Sequence, residues 1–309
     1  MAYRFKFNET MTQGFERIAT EQIDRAAAHL AACDEGAVAS IHETRKCLKR
    51  TRALLRFCRP GLQDHAFESL NRQLRDIGRS LSGTRDADVL SQTISSLAEG
   101  GQLKAAVVAR LRGAMALTKG AGGDEALGGK ESRDTAAQLQ SVRNEISTVE
   151  LNLKSCAIDT RGFVRAFEAC HSAFEPACDG EDDDALHEWR KTVQTHWRHM
   201  QLINRAWPAY FDARIAEARS ISMLIGEVRD LGLLFEFATE AAAARLTPAM
   251  TASIKKIVSS KQERLRKEAR LRGARLLGEK PKGIARRIQA YWETAAGLKG
   301  MRSKPSLGD

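Results

Sequence analysis

Between Ile41 and Phe57 the chain reads IHETRKCLKRTRALLRF, which holds one histidine, six Arg/Lys residues and a single acid, Glu43. On a helix, which turns about 100° per residue, His42, Arg45, Lys46, Lys49, Arg52 and Arg56 fall within an arc of roughly 120°, and Ile41, Cys47, Leu48, Leu54, Leu55 and Cys58 take the opposite side. The chemistry such a stripe offers is the binding of oxyanions. Arginine presents a planar fork that meets two oxygens at once, lysine a point charge on a flexible stem, and a neutral imidazole one N–H donor. An exposed helix ordinarily interleaves Glu with Lys one turn apart, whereas like charges at that spacing repel. A cationic stripe so poor in acids implies an anion supplied from elsewhere.

A second segment carries the same signature. LHEWRKTVQ, residues 186–194, aligns with IHETRKCLK and pairs His42 with His187, Arg45 with Arg190 and Lys46 with Lys191. Arg198 and Arg205 continue this weaker stripe, with Gln194 and Gln201 between them. About forty residues after each motif, LSGTRDADVL is answered by IGEVRDLGLL, pairing Arg85-Asp86 with Arg229-Asp230. Arg72, Arg75 and Arg79 share a face opposite Leu74, Ile77 and Leu81, and Arg219 stands in the corresponding segment of the second half. These arginines either line the same groove or lie on the outer surface. Both motif histidines are expected in the first turn of their helices. The acidic run before His187 reads as N-terminal capping and dipole compensation and not as a metal site. Asp86 and Asp230 read as caps too, or as groups that orient Arg85 and Arg229.

The elements that must position these residues are helices. Pro60, Pro176, Pro208, Pro248 and Pro281 separate segments of helical periodicity, and no alternating strand pattern appears. Thr10 with Gln13 forms the signature of a capping box. The periodicity predicts helices over about 10–33, 37–59, 62–82, 86–99 and 102–118, then 131–153, 160–175, 184–206, 209–226, 229–244, 248–277 and 282–297. Five glycines in KGAGGDEALGGK mark residues 119–130 as a linker. The doubled motifs make the chain two tandem copies of one helical unit, residues 1–154 and 155–309. The expected fold is all-α: two helical bundles related by a pseudo-twofold axis around a central basic groove or channel.

The 309 residues carry a formal charge of +10, which favours a polyanionic partner: nucleic acid, an anionic membrane or polyphosphate. No apolar leader and no run of eighteen apolar residues is visible, so membrane insertion is not expected. Six cysteines without a C-x-x-C pair read as buried free thiols of a reducing compartment, the cytoplasm. Nucleic-acid binding lacks aromatic residues interleaved with the basic stripes and any helix-turn-helix, zinc or RNA-recognition signature. An enzyme acting on phosphoanhydrides would need acids to hold Mg²⁺ or a G-x-x-x-x-G-K loop, and the stripes offer neither. No catalytic residue, metal or cofactor is expected. The basic run from Lys261 to Arg275 spreads over several faces and reads as solvated surface.

The pattern H-x-x-R-K-x-x-K-x-x-R-A-x-L from His42 to Leu55, its degenerate copy at His187, the two later R-D signatures and the tail GEKPKGIARRIQAYW together resemble the conserved histidine α-helical (CHAD) domain family. The resemblance spans about residues 8–297. It implies two helical bundles around a basic cavity that binds inorganic polyphosphate without catalysis. It further implies His42, Arg45, Lys46, Lys49, Arg52 and Arg56 as ligand contacts from the first motif, and His187, Arg190 and Lys191 from the second. Gln194 departs from the pattern where a basic residue is usual, and Arg198 where an aromatic is common. Arg75, Arg79, Arg85, Arg198, Arg219 and Arg229 complete the expected polyphosphate-binding set. The E-x-E-x-K motif of the triphosphatase often fused to such domains is missing. The role of such binding is left open between attachment to polyphosphate granules, with granule-associated proteins as further partners, storage control and scaffolding.

Overall fold

The computed structural model describes residues 3–32, 37–81, 85–121, 129–152, 158–179 and 182–302. The helices are α1 (Met11–Ala31), α2 (Ala37–Cys58), α3 (Asp64–Ser80), α4 (Arg85–Glu99), α5 (Ala105–Ala121), α6 (Gly129–Ser147), α7 (Arg161–Ser172), α8 (Phe174–Asp179), α9 (Asp183–Ile203), α10 (Pro208–Thr239), α11 (Pro248–Leu277) and α12 (Pro281–Arg302). No strand occurs among the described residues, and the fold is all-α as expected. Local chemistry sets the starts. Thr10 and Gln13 cap α1 reciprocally, and the Asp182 carboxylate caps α9 by accepting from the amides of Asp184 and Ala185. Pro208, Pro248 and Pro281 each occupy the first position of a helix, where a missing N–H costs nothing.

In the N-terminal half α2 packs on α1 and α3, and α6 returns to α1; in the C-terminal half α9 packs on α7 and α10, and α12 returns to α7. The halves meet where α2 lies against α7 and α9 and where α4 lies against α10. One continuous apolar core runs through both, including Leu54, Leu55 and Phe57 of α2, Phe163 and Phe167 of α7, and Trp189 and Val193 of α9. The apolar side of each motif helix is thereby committed inward. Its cationic side is left to define a surface.

Several expectations change. Residues 208–239 form one helix where a break near 227 was expected. Gly226, at the expected break, serves a close approach: a Cβ there would lie 2.6 Å from the Arg190 Nη2 atom. Arg229 and Asp230 are therefore mid-helix, and Asp230 caps no helix start. α2 begins at Ala37 and α9 at Asp183, so both motif histidines lie beyond the first turn. Pro176 sits inside the short α8 and not between helices. Helices extend into the expected linker from both sides, to Ala121 and from Gly129; residues 122–128 and the seam at 153–157 lie outside the described residues. Cys47, Cys58 and Cys170 are buried free thiols, Cys178 is half-buried, and Cys33 and Cys156 lie outside the described residues.

Candidate anion-binding cleft

α2 and α9 cross at a hydrogen bond between the Nε2 atom of buried His199 and the Ala53 carbonyl, 2.8 Å. The Phe57 ring meets His199 edge-on at 5.2 Å. Beside the crossing α7 comes against the end of α2, which requires Gly162: a Cβ there would fall 1.9 Å from the Phe57 carbonyl oxygen. The three helices enclose a cleft of about 430 Å³. Lys49, Arg52 and Arg56 line it from α2, Lys191, Gln194 and Arg198 from α9, and Arg165 from α7, with Arg59 just past the end of α2. Ala53, Gly162, Ala166 and Ala169 keep the space between them open. Seven cationic side chains face one acid, Glu188.

The electrostatics show the strain of that composition. Burial, reinforced by Arg56, Arg75 and Arg79, pushes the Arg52 guanidinium down to about 10. Burial likewise brings Arg198 to about 10, with Arg50, Arg219 and Arg56 acting in the same direction. Arg56 is lowered by burial too, against the pull of Glu188. Like charges gathered in a partly dry cleft destabilise one another, and a multivalent oxyanion would reverse the sign of each interaction. Arg198 is 7 % exposed and its Nε finds no hydrogen-bond partner. Its Nη1 donates to the Gln194 carbonyl at 2.6 Å, and its guanidinium lies 4.3 Å from the centre of the Trp197 ring. Arg52 Nε donates to the Asn71 side chain at 3.1 Å.

Of the expected residues, the structure brings Lys49, Arg52, Arg56, Lys191 and Arg198 into this cleft. Arg75 and Arg79 act on Arg52 from α3, and Arg219 also lies over the cleft's aromatic neighbour, 4.7 Å from the Trp197 ring centre. The motif arginines hold helices together. Arg45 Nη1 donates to the carbonyls of Gly78 and Leu81 at 2.8 and 2.9 Å, and Arg190 Nε donates to the Ser222 carbonyl at 3.0 Å. The motif lysines pair with the glutamate one turn before them: Lys46 with Glu43 at 3.0 Å and Lys191 with Glu188 at 2.6 Å. His42 is exposed on α2 and does not line the cleft.

His187, Arg190 and Arg229 border a different cavity, of about 410 Å³, together with Asp183, Asp184, Asp230 and Glu236. Its mixed charge suits an oxyanion poorly. Burial, then Lys191, Arg229 and Arg190, hold the His187 imidazole below its ordinary value, so it is neutral at pH 7. Arg85 opens α4, and its side chain lies outside the described residues. Several cations of α11 pair with acids: Lys261 with Glu227, Arg266 with Asp183, and Arg272 and Arg275 with Glu217. Arg59, Arg165 and Glu188 are the cleft residues that spacing alone missed. The LHEWRK copy placed Glu188 beside the stripe; nothing in the sequence around Arg165 marked it.

Among the described residues the chain is all-helical, and its two motif helices cross beside a cationic cleft. Residues 17–239 match the CHAD domain family, more than two thirds of the chain, and the chain belongs to that family. Among solved structures it resembles PptA from Streptomyces chartreusis, with a TM-score of 0.63 over 88% of this chain and 100% of that one. Their sequence identity is 16%, and the likeness shows the fold alone. No curated protein matches the chain.

Proposed function

We propose that this chain binds inorganic polyphosphate, without turning it over, in the cleft between α2, α7 and α9. The observation that carries the reading is the lining: seven cations, two of them depressed by burial and mutual repulsion, against one acid. A linear polymer of phosphates suits walls whose cations recur one and two turns apart, because Arg forks and Lys point charges engage successive oxygens. Binding without catalysis follows from the same inventory. Among the described residues Glu188 is the one carboxylate lining the cleft and is tied to Lys191, so they offer no pair of acids there for proton transfer or for a divalent ion.

The two halves read as copies of one unit around this site. In support, Arg45 and Arg190 each donate to a carbonyl of the following long helix, and each motif lysine pairs with the glutamate three residues earlier. No helix among the described residues is long and apolar enough to cross a membrane. Attachment to polyphosphate granules in the cytoplasm is the role such a cleft would serve, and granule-associated proteins are the partners it would meet there. The deciding experiment is calorimetric titration of long-chain polyphosphate into the protein and into Lys49→Ala/Arg56→Gln. The double variant should lose at least tenfold in affinity while its circular dichroism stays unchanged. An affinity equal to that of the parent protein would sink the assignment to this cleft.

A further inference from the structure

We infer that the chain carries a second oxyanion site, in a cavity of about 530 Å³ that shares no lining residue with the cleft, and that it takes phosphates of a polyphosphate chain. Four arginines from four separate segments converge on it: Arg4 before α1, Arg25 on α1, Arg50 on α2 and Arg219 on α10. None of the four pairs with a carboxylate among the described residues. The one acid in the lining, Asp212, already accepts from Asn204 Nδ2 at 2.8 Å. Four like charges brought together by distant parts of the chain, with a single carboxylate among them, repel one another unless a further anion joins them.

The cavity is built and held in place. The Tyr3 hydroxyl donates to the Arg50 carbonyl at 2.8 Å and the Phe5 amide to the Leu202 carbonyl at 2.9 Å, which fixes the segment bearing Arg4 against α2 and α9. Arg50 lies over the Tyr3 ring at 5.7 Å and Arg219 over Trp197 at 4.7 Å. Those aromatic faces are already covered by guanidinium groups, so they offer no platform for base stacking, which favours polyphosphate over nucleic acid. The pairing of His42 with His187 also sets Arg50 opposite Thr195, Arg56 opposite Gln201 and Arg59 opposite Asn204. All six residues line one cavity or the other, and the two members of each of these pairs lie in different cavities. Arg198 joins them, since it lines the cleft while the charges of Arg50 and Arg219 act on it.

This inference rests on the proposed polyphosphate reading, and its test separates the two. Inorganic tripolyphosphate, too short to span both cavities, is titrated calorimetrically into the full chain at low salt. Two sites per chain are expected. Arg25→Ala/Arg50→Ala should remove one, Lys49→Ala/Arg56→Gln the other, and either should weaken long-chain polyphosphate at least tenfold. One site per chain, or titrations unchanged by Arg25→Ala/Arg50→Ala, would overturn the second site. If only Lys49→Ala/Arg56→Gln is silent, the cleft fails and the second site stands. Tighter binding there of an oligonucleotide with the same number of phosphates would also overturn the assignment. Arg25 is exposed, so should the double variant misfold, Arg25→Gln alone must still lower affinity at the second site by several-fold.

Discussion

A buried guanidinium without a carboxylate beside it costs stability in the free protein, and Arg198 bears that cost. Its fall from 12.5 to about 10 corresponds to about 3 kcal/mol of unfavourable charge burial. Arg198→Met should therefore raise the melting temperature of the free protein by several degrees while weakening polyphosphate binding. A variant that is destabilised and binds normally would contradict this account of Arg198. Glu188 works in the opposite sense, because it supplies an internal negative charge where phosphate is proposed to sit; Glu188→Gln should tighten polyphosphate binding three- to tenfold at low salt.

The two histidines of the α9 core give a pH signature. Burial pushes His199 down to about 3 and His196 well below its usual value. Protons then bind the unfolded chain in preference to the folded one below about pH 6.5, so stability is lost as pH falls through that value, by about 1.4 kcal/mol per unit for each histidine. His196 lies between Phe163 and Phe167 with both ring nitrogens unpartnered. His196→Leu should flatten the acid limb of the melting curve, and an unchanged limb would refute the role given to His196. At this scale the sequence revealed which residues share a stripe but not what meets each end of it. Arg45 and Lys49 are one turn apart, yet Arg45 meets the carbonyls that end α3 while Lys49 meets the cleft. That difference is set by a helix thirty residues away.

Among the elements, α7 depends on a single atom that is missing. With 1.9 Å between a Gly162 Cβ and the Phe57 carbonyl, Gly162→Ala must move the start of α7 away from α2. A cost of about 3 kcal/mol or more is expected from such backbone overpacking, measured by denaturant unfolding. Polyphosphate affinity should fall with it, because α7 carries Arg165. A fully stable Gly162→Ala protein would show that α7 does not sit this close. Helix starts were legible because their signals are local: a side-chain cap or a leading proline acts within one turn. Helix interiors were less so. Gly226 has the local look of a terminator, and its reason is the guanidinium of Arg190 from another helix. The cleft's α7 wall escaped notice for the same reason, since small residues read as ordinary helix formers until a second helix is laid against them.

For the whole molecule, a net charge of +10 and two cationic cavities predict a steep salt dependence: the logarithm of the affinity should fall linearly with the logarithm of salt concentration, with a slope that grows with the number of phosphates engaged. Long chains should therefore show a steeper slope than tripolyphosphate, and a slope independent of length would argue against a chain that spans both cavities. The doubling of the motif was visible in the sequence, and so was the opposition of apolar and cationic faces. The convergence of Arg4, Arg25, Arg50 and Arg219 was not, because each stands alone in its own segment. Where the two cavities adjoin, Trp197 has Arg198 at 4.3 Å and Arg219 at 4.7 Å from its ring centre, one guanidinium associated with each cavity. An indole with two cations close over its ring has an emission sensitive to their positions. With the chain's other three tryptophans, Trp189, Trp207 and Trp292, replaced by phenylalanine, the fluorescence of Trp197 would become a built-in optical gauge of how each arginine is drawn away as phosphate arrives.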